Sequence, residues 1–186
     1  QDLYPLLVMK DELERETLSD DLKKVKALEI AGKAEKLYAQ WESEWYEIQS
    51  IDIEELDRDL YSAETYIDKF NFKRADEVIM NSGELIANIK DRIAGIRREI
   101  KELTEVEPSN RELYEEIVVE YKELNRELLA KRHQYGAAAE QFEQNIKEIA
   151  PQLDDFKLLT STGKYIEAQD KINTVKGLID NLKERM

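Results

Sequence analysis

DKFNFKRADEVI, residues 68–79, interrupts a chain that otherwise reads as helix. Ile67 and Phe70 close one apolar stripe, and Ala75, Val78 and Ile79 open another. Asn71 and Phe72 lie between them, without glycine or proline to mark a break. The pattern recurs downstream. NFKRADEVI (71–79) aligns with KYIEAQDKI (164–172), pairing Phe72 with Tyr165, Ala75 with Ala168 and Ile79 with Ile172 at a constant separation of 93 residues. Leu85 and Leu178, then Ile86 and Ile179, extend the pairing. In both places a helix ends, an aromatic residue follows a short turn, and a new amphipathic helix starts. The stretch therefore predicts a tight elbow at Asn71–Phe72 and a helical repeat of about ninety residues.

Outward from this elbow the apolar positions fall into alternating threes and fours. Ile79, Ser82, Ile86, Ile89, Ile93, Ile96, Ile100 and Leu103 form one seam, interrupted only by Ser82. Such a heptad pattern predicts helices packed at a shallow angle. Pro108 in EVEPSN is expected to end that helix, with Ser109 or Asn110 capping the next. The next seam runs Tyr114, Ile117, Tyr121, Leu124, Leu128, Lys131, Tyr135, Ala138, Phe142, Asn145 and Ile149. It implies one helix over 110–149, about 60 Å long, with Pro151 marking a kink or restart. Upstream, Ile53, Leu56, Leu60, Ala63, Ile67 and Phe70 form a third run, and Asp52 with Glu55 has the form of a capping box. Leu37, Trp41, Trp45 and Ile48 make an earlier face after a turn at Gly32. The phase changes between Ile48 and Ile53, which predicts a kink or stutter and leaves open whether helices 34–50 and 52–70 are continuous.

Short links between such helices impose antiparallel neighbours. The expected fold is all-α, an elongated rod of spectrin-like antiparallel three-helix bundle repeats with long continuous helices. Residues 1–105 are expected to form a first repeat region, and 106–186 a second that begins in a long shared helix.

Composition agrees and narrows the function. Of 186 residues, 38% are charged, and only 6 are Gly and 3 Pro, as a mainly helical chain requires. With 28 cationic against 42 anionic side chains, the net charge is −14, which disfavours nucleic acid as a partner and adsorption to an anionic bilayer. Cysteine is absent, so disulfides, thiolate zinc sites and cysteine nucleophiles are excluded. The most apolar run, LYPLLVM at 3–9, is far short of the ~20 residues a membrane helix needs.

No motif specifies catalysis. His133, the sole histidine, has no nucleophile or orienting carboxylate in its pattern, and Ala130 stands where a di-metal Glu-x-x-His motif would place its glutamate. Asp154–Asp155 and Glu115–Glu116 lack the spacing of a calcium loop and read as solvated helix faces. Trp41 and Trp45 read as core, with the small residues GAAA at 136–139 expected opposite them; a partner anchor is the competing reading. Catalytic, cofactor-binding and metal residues are therefore expected to be none, and cofactors none.

VKALEIAGKAEKLYAQWESEWYEI (25–48), AETYIDKFNFKRADEVI (63–79), LLAKRHQYG (128–136) and GKYIEAQDKI (163–172), taken in order, resemble the EzrA family, septation ring formation regulators of low-GC Gram-positive bacteria. The resemblance runs from about residue 3 to about 183. It implies a cytoplasmic region of spectrin-like repeats behind one N-terminal membrane helix, which is absent from this chain, so these residues look like the juxtamembrane part of a longer protein. A C-terminal region tied to division-site localisation is absent too. The implied function is non-enzymatic: restraint of FtsZ ring assembly, and linkage of the ring to the membrane and to cell-wall synthesis proteins, on the cytoplasmic side of the membrane at the septum. The alternative is a structural coiled-coil spacer or adaptor whose binding sites lie elsewhere. The partner-binding surface and self-association are left open by the sequence.

Overall fold

The computed structural model describes residues 3–186. Among these the secondary structure is helical: α1 (Leu3–Arg15), α2 (Ser19–Lys26), α3 (Lys33–Glu47), a π turn (Ile48–Asp52), α4 (Ile53–Asp68), α5 (Phe72–Tyr135), α6 (Ala138–Lys147), α7 (Ile149–Ser161) and α8 (Tyr165–Arg185). The chain divides into two compact units, Gln1–Lys26 with Leu37–Lys101, and Ala27–Lys36 with Glu102–Met186.

In the first unit three helical stretches pack on one another: α1–α2, α3–α4 and the first part of α5. Leu13, Leu18, Val25, Trp41, Ile48, Leu56, Leu60 and Ile86 through Ile100 supply the buried apolar side chains. Polar ties cross between the same stretches. Lys10 pairs with Asp57, Arg97 with Asp21, and the Trp41 Nε1–H donates to Glu99 at 2.7 Å. Both tryptophans are core, at 3% and 6% exposure. The small-residue strip 136–139, expected opposite them, belongs instead to the second unit. Gly136 and Ala137 make the turn between α5 and α6, where Gly136 adopts φ +57 and a Cβ on it would meet nothing within 4 Å, and Ala138 and Ala139 open α6.

The phase change after Ile48 has a local cause. The Ile53 N–H bonds the Ile48 carbonyl, five residues back, so the π turn absorbs one residue and returns Leu56, Leu60 and Ala63 to the buried face. The helix is continuous through this turn. Asp52 is accordingly not a cap, as the capping-box reading required. It has helical backbone angles and makes no capping bond, and its carboxylate accepts from Arg92 at 2.5 Å.

Pro108 does not end a helix either. It lies inside α5, which runs unbroken from Phe72 to a kink at Lys131 (φ −118, ψ 17). A proline in a helix interior costs about 3 kcal/mol, so tertiary packing must outweigh it. The seam shows how: Leu103, Glu107, Asn110, Tyr114 and Ile117 keep the three–four spacing across the proline. Asn110 is buried in that seam at 3% exposure, and its Nδ2–H donates to the Tyr165 carbonyl at 3.1 Å, so it is a core tie and not a cap.

The expected helix over 110–149 is divided at Lys131, Gly136 and Glu148. Beyond Leu128 the buried seam shifts to Ala139, Phe142, Ile146, Ile149, Leu153 and Phe156, so Ala138 and Asn145 are not its members and Lys131 is exposed. The restart at Ile149 is where Pro151 requires it: the proline falls in the first turn of α7, where its missing N–H costs nothing. These helices, the later part of α5 and α8 enclose the second core, with Ile117, Ile172, Val175 and Ile179 fully buried.

Candidate functional site

The two elbows are the same structure built twice. At the first, Asn71 N–H bonds the Tyr66 carbonyl at 2.8 Å and Phe70 N–H bonds that of Ile67 at 3.0 Å. At the second, Lys164 N–H bonds Leu159 at 2.9 Å and Gly163 N–H bonds Thr160 at 3.2 Å. Each is a Schellman ending with its left-handed residue at the same place, Phe70 at φ +59 and Gly163 at φ +79. Each next helix then starts with an aromatic residue and buries an alanine, Ala75 or Ala168. The 93-residue pairing read from the sequence is thus repeated in backbone geometry. It continues down the helices: Ser82 and Val175, Ile86 and Ile179, Ile89 and Leu182 are buried pairs.

Their surroundings differ. The second elbow is covered by the loop Leu28–Lys33 of its own unit. Ala31 N–H donates to the Gly163 carbonyl at 2.9 Å, the Tyr165 hydroxyl to the Leu28 carbonyl at 3.2 Å, and Lys33 N–H to Glu167 at 3.2 Å. A Cβ on Gly163 would overlap the Glu29 carbonyl oxygen. The first elbow is bare. Phe70 is 80% exposed and Phe72 55%, the rings meet edge to face at 6.1 Å, and residues 68–74 are all exposed.

Two charge clusters are half-buried. Arg92 reaches Glu44 at 3.1 Å, Asp52 at 2.5 Å and Glu47 at 3.8 Å, bracketing the π turn. Burial opposes its charge, but the bonds to Glu44 and Asp52 prevail and raise its pKa. In the second unit Glu120 accepts from Lys176 at 2.9 Å and Lys183 at 3.2 Å. Burial would raise the Glu120 pKa; the two lysines outweigh it and hold it below its ordinary value. These clusters join helices and have their partners within the chain.

His133 is exposed beside the α5 kink, and Asp154, Asp155, Glu115 and Glu116 are exposed on their helices. Among the described residues no group of three or more His, Asp or Glu converges to hold a metal ion, and no helix is long and apolar enough to cross a membrane. A pocket of about 270 Å³, lined by Tyr114, Phe156, Thr160 and Arg111, opens in the second unit; Tyr114 and Phe156 stack at 5.2 Å along its wall. The sequence reading assigned no partner-binding residue, and it used Phe70 only as the end of a stripe. The signal for more was there: a bulky residue where its repeat partner has glycine.

Residues 4–186 match the family model described as septation ring formation regulator, EzrA. The chain belongs to the EzrA family. Among EzrA proteins, that of Geobacillus sp. (strain WCH70) is 29% identical over 90% of this chain and 30% of its own length. Septation ring formation regulator EzrA of Staphylococcus epidermidis is 29% identical over 95% of this chain and 31% of the relative. The Bacillus subtilis (strain 168) protein is 31% identical over 86% and 28% respectively. The chain thus spans about a third of the length of these EzrA relatives.

Proposed function

We propose that this chain is a segment of a non-enzymatic regulator of bacterial cell division that restrains FtsZ ring assembly, and that the whole protein links the ring to the membrane and to cell-wall synthesis proteins on the cytoplasmic side of the septum. The observation that carries the reading is the match to the septation regulator family over residues 4–186. The duplicated elbow supports its architectural half: two spectrin-like repeats, one in residues 1–105 and one in 106–186, sharing α5. Paired helices with seams of this kind hold surfaces at fixed spacing, as a scaffold on a filament requires.

The test is co-sedimentation of the purified chain with FtsZ assembled in GTP, with light scattering to follow polymer mass. Dose-dependent pelleting or reduced scattering is the expected result and locates a regulatory surface within these residues. Absence of both, from a chain shown by circular dichroism to be helical, assigns the segment to the spacer role and puts the FtsZ-binding surface elsewhere.

A further inference from the structure

The bare elbow is a constructed feature and not a neglected end. A non-glycine residue in the left-handed region is disfavoured, and for a bulky one it is an outlier. At the equivalent place the second elbow has glycine, and the loop covering it depends on the missing Cβ. Phe70 therefore does two things at once. Its Cβ excludes a backbone approach of the Glu29 kind, and its ring is presented to solvent at 80% exposure next to Phe72.

The charges at the tip itself are of one sign. Lys69, Lys73 and Arg74 fall within six residues that contain no acid, in a chain of net charge −14. Lys69 and Lys73 enter no ion pair among the described residues, and Arg74 lies over the Tyr66 ring at 6.0 Å. The acids Asp68, Asp76 and Glu77 stand at the edge of this group, on α4 and α5. Two aromatic rings with three cations at the turn of a helical hairpin match an apolar layer beneath an anionic one.

We propose that the elbow Lys69–Arg74 docks on an anionic lipid surface, with Phe70 and Phe72 entering the headgroup boundary and Lys69, Lys73 and Arg74 meeting lipid phosphates. A lipid surface fits better than a protein partner because of size. A stable protein interface needs about 800 Å² and 20–30 residues on each side, whereas this tip offers six. Interfacial binding instead adds up from the apolar area buried at the headgroup boundary and about 1 kcal/mol for each cation near an anionic surface, so a small tip can contribute to it. Acids farther than about 8 Å are screened at physiological salt, whereas Asp68, Asp76 and Glu77 beside the tip offset part of the attraction, so insertion of Phe70 and Phe72 carries the larger share of binding. The proposal is independent of the FtsZ reading and can stand or fall without it.

The experiment is sedimentation of the chain with vesicles of phosphatidylcholine alone or with phosphatidylglycerol added, at physiological ionic strength. Pelleting with the anionic vesicles only is expected. Lys69→Gln and Lys73→Gln should each weaken it about fivefold, and Phe70→Ser with Phe72→Ser about tenfold or more. Because these side chains are exposed, each variant should keep the parent's thermal unfolding. As an independent readout, a Phe72→Trp variant should be quenched by brominated lipid while the buried Trp41 and Trp45 of the parent are not. Failure of the folded chain to pellet with anionic vesicles overturns the proposal. So does pelleting that ignores the phenylalanine substitutions. Self-association of the chain that is lost on Phe70→Ser, without vesicle binding, overturns it in favour of a second copy.

Discussion

The two elbows share a hydrogen-bonding pattern and differ in their left-handed residue, Phe70 against Gly163, and the consequences are opposite. Where the left-handed position is glycine, the backbone of Leu28–Lys33 closes over it and the elbow becomes part of a core. Where it is phenylalanine, nothing in the described chain closes, and the strain is kept in order to display a ring. The backbone of a turn is thus set by its hydrogen bonds, while its accessibility is set by whether one Cβ is present.

Exchanging the residues should break this contrast most severely in one direction. Gly163→Phe places a side chain where the Glu29 carbonyl now sits, so the loop must leave and its three hydrogen bonds are lost. A cost of about 3 kcal/mol or more is expected, read as a lower thermal midpoint and faster hydrogen exchange in 28–33 and 163–168. Next in size is the buried pair about three turns further along. The Ser82 hydroxyl is buried without a hydrogen-bond partner, at the place where the second repeat has Val175, also at 0% exposure. Ser82→Val should stabilise the first unit by about 1 to 2 kcal/mol, seen in chemical denaturation; a loss would mean that the two seams are not equivalent. Phe70→Gly should gain about 1 kcal/mol by relieving the left-handed strain, with no change in helicity.

The smallest effect separates the units by pH. Glu120 has a depressed folded pKa, so its pairing stabilises the second unit above the ordinary glutamate value and is lost as the pH falls through the folded pKa. Glu120→Gln should remove that acid-range dependence, with about 1 kcal/mol lost at neutral pH. Denaturation midpoints measured from pH 7 down to pH 3 check it; an unchanged pH profile in the variant would show that Lys176 and Lys183 find other partners.

Periodicity made much of this legible. Seams repeated by threes and fours located the cores, the slip between Ile48 and Ile53 announced the π turn, and the 93-residue pairing found both elbows. What misled was local chemistry that tertiary packing overrules. Pro108 carries a strong stop signal, yet the seam stays in register across it; the polar residues Glu107 and Asn110 at two seam positions hid that continuity. Asp52 followed by Glu55 has the form of a cap, but Arg92, forty residues away, takes the carboxylate. Gly136 was passed over because the small residues after it looked like a surface for tryptophan. The bare first elbow was hardest to see, because exposure follows from what fails to cover a residue and not from the residue itself.

The π turn has a consequence for how such a gene tolerates change. Residues 48–52 hold one residue more than an α-helix would need to connect the two buried faces. Loss of a single codon there, at Gln49 or Ser50, would convert the turn to ordinary helix and leave Trp45 and Leu56 facing the same core. The same loss a few codons later, within α4, would rotate everything after it by about 100° and turn Leu60 and Ala63 outward. A reading-frame-preserving deletion is therefore tolerated or ruinous according to whether it falls within residues 48–52 or in the α-helix that follows.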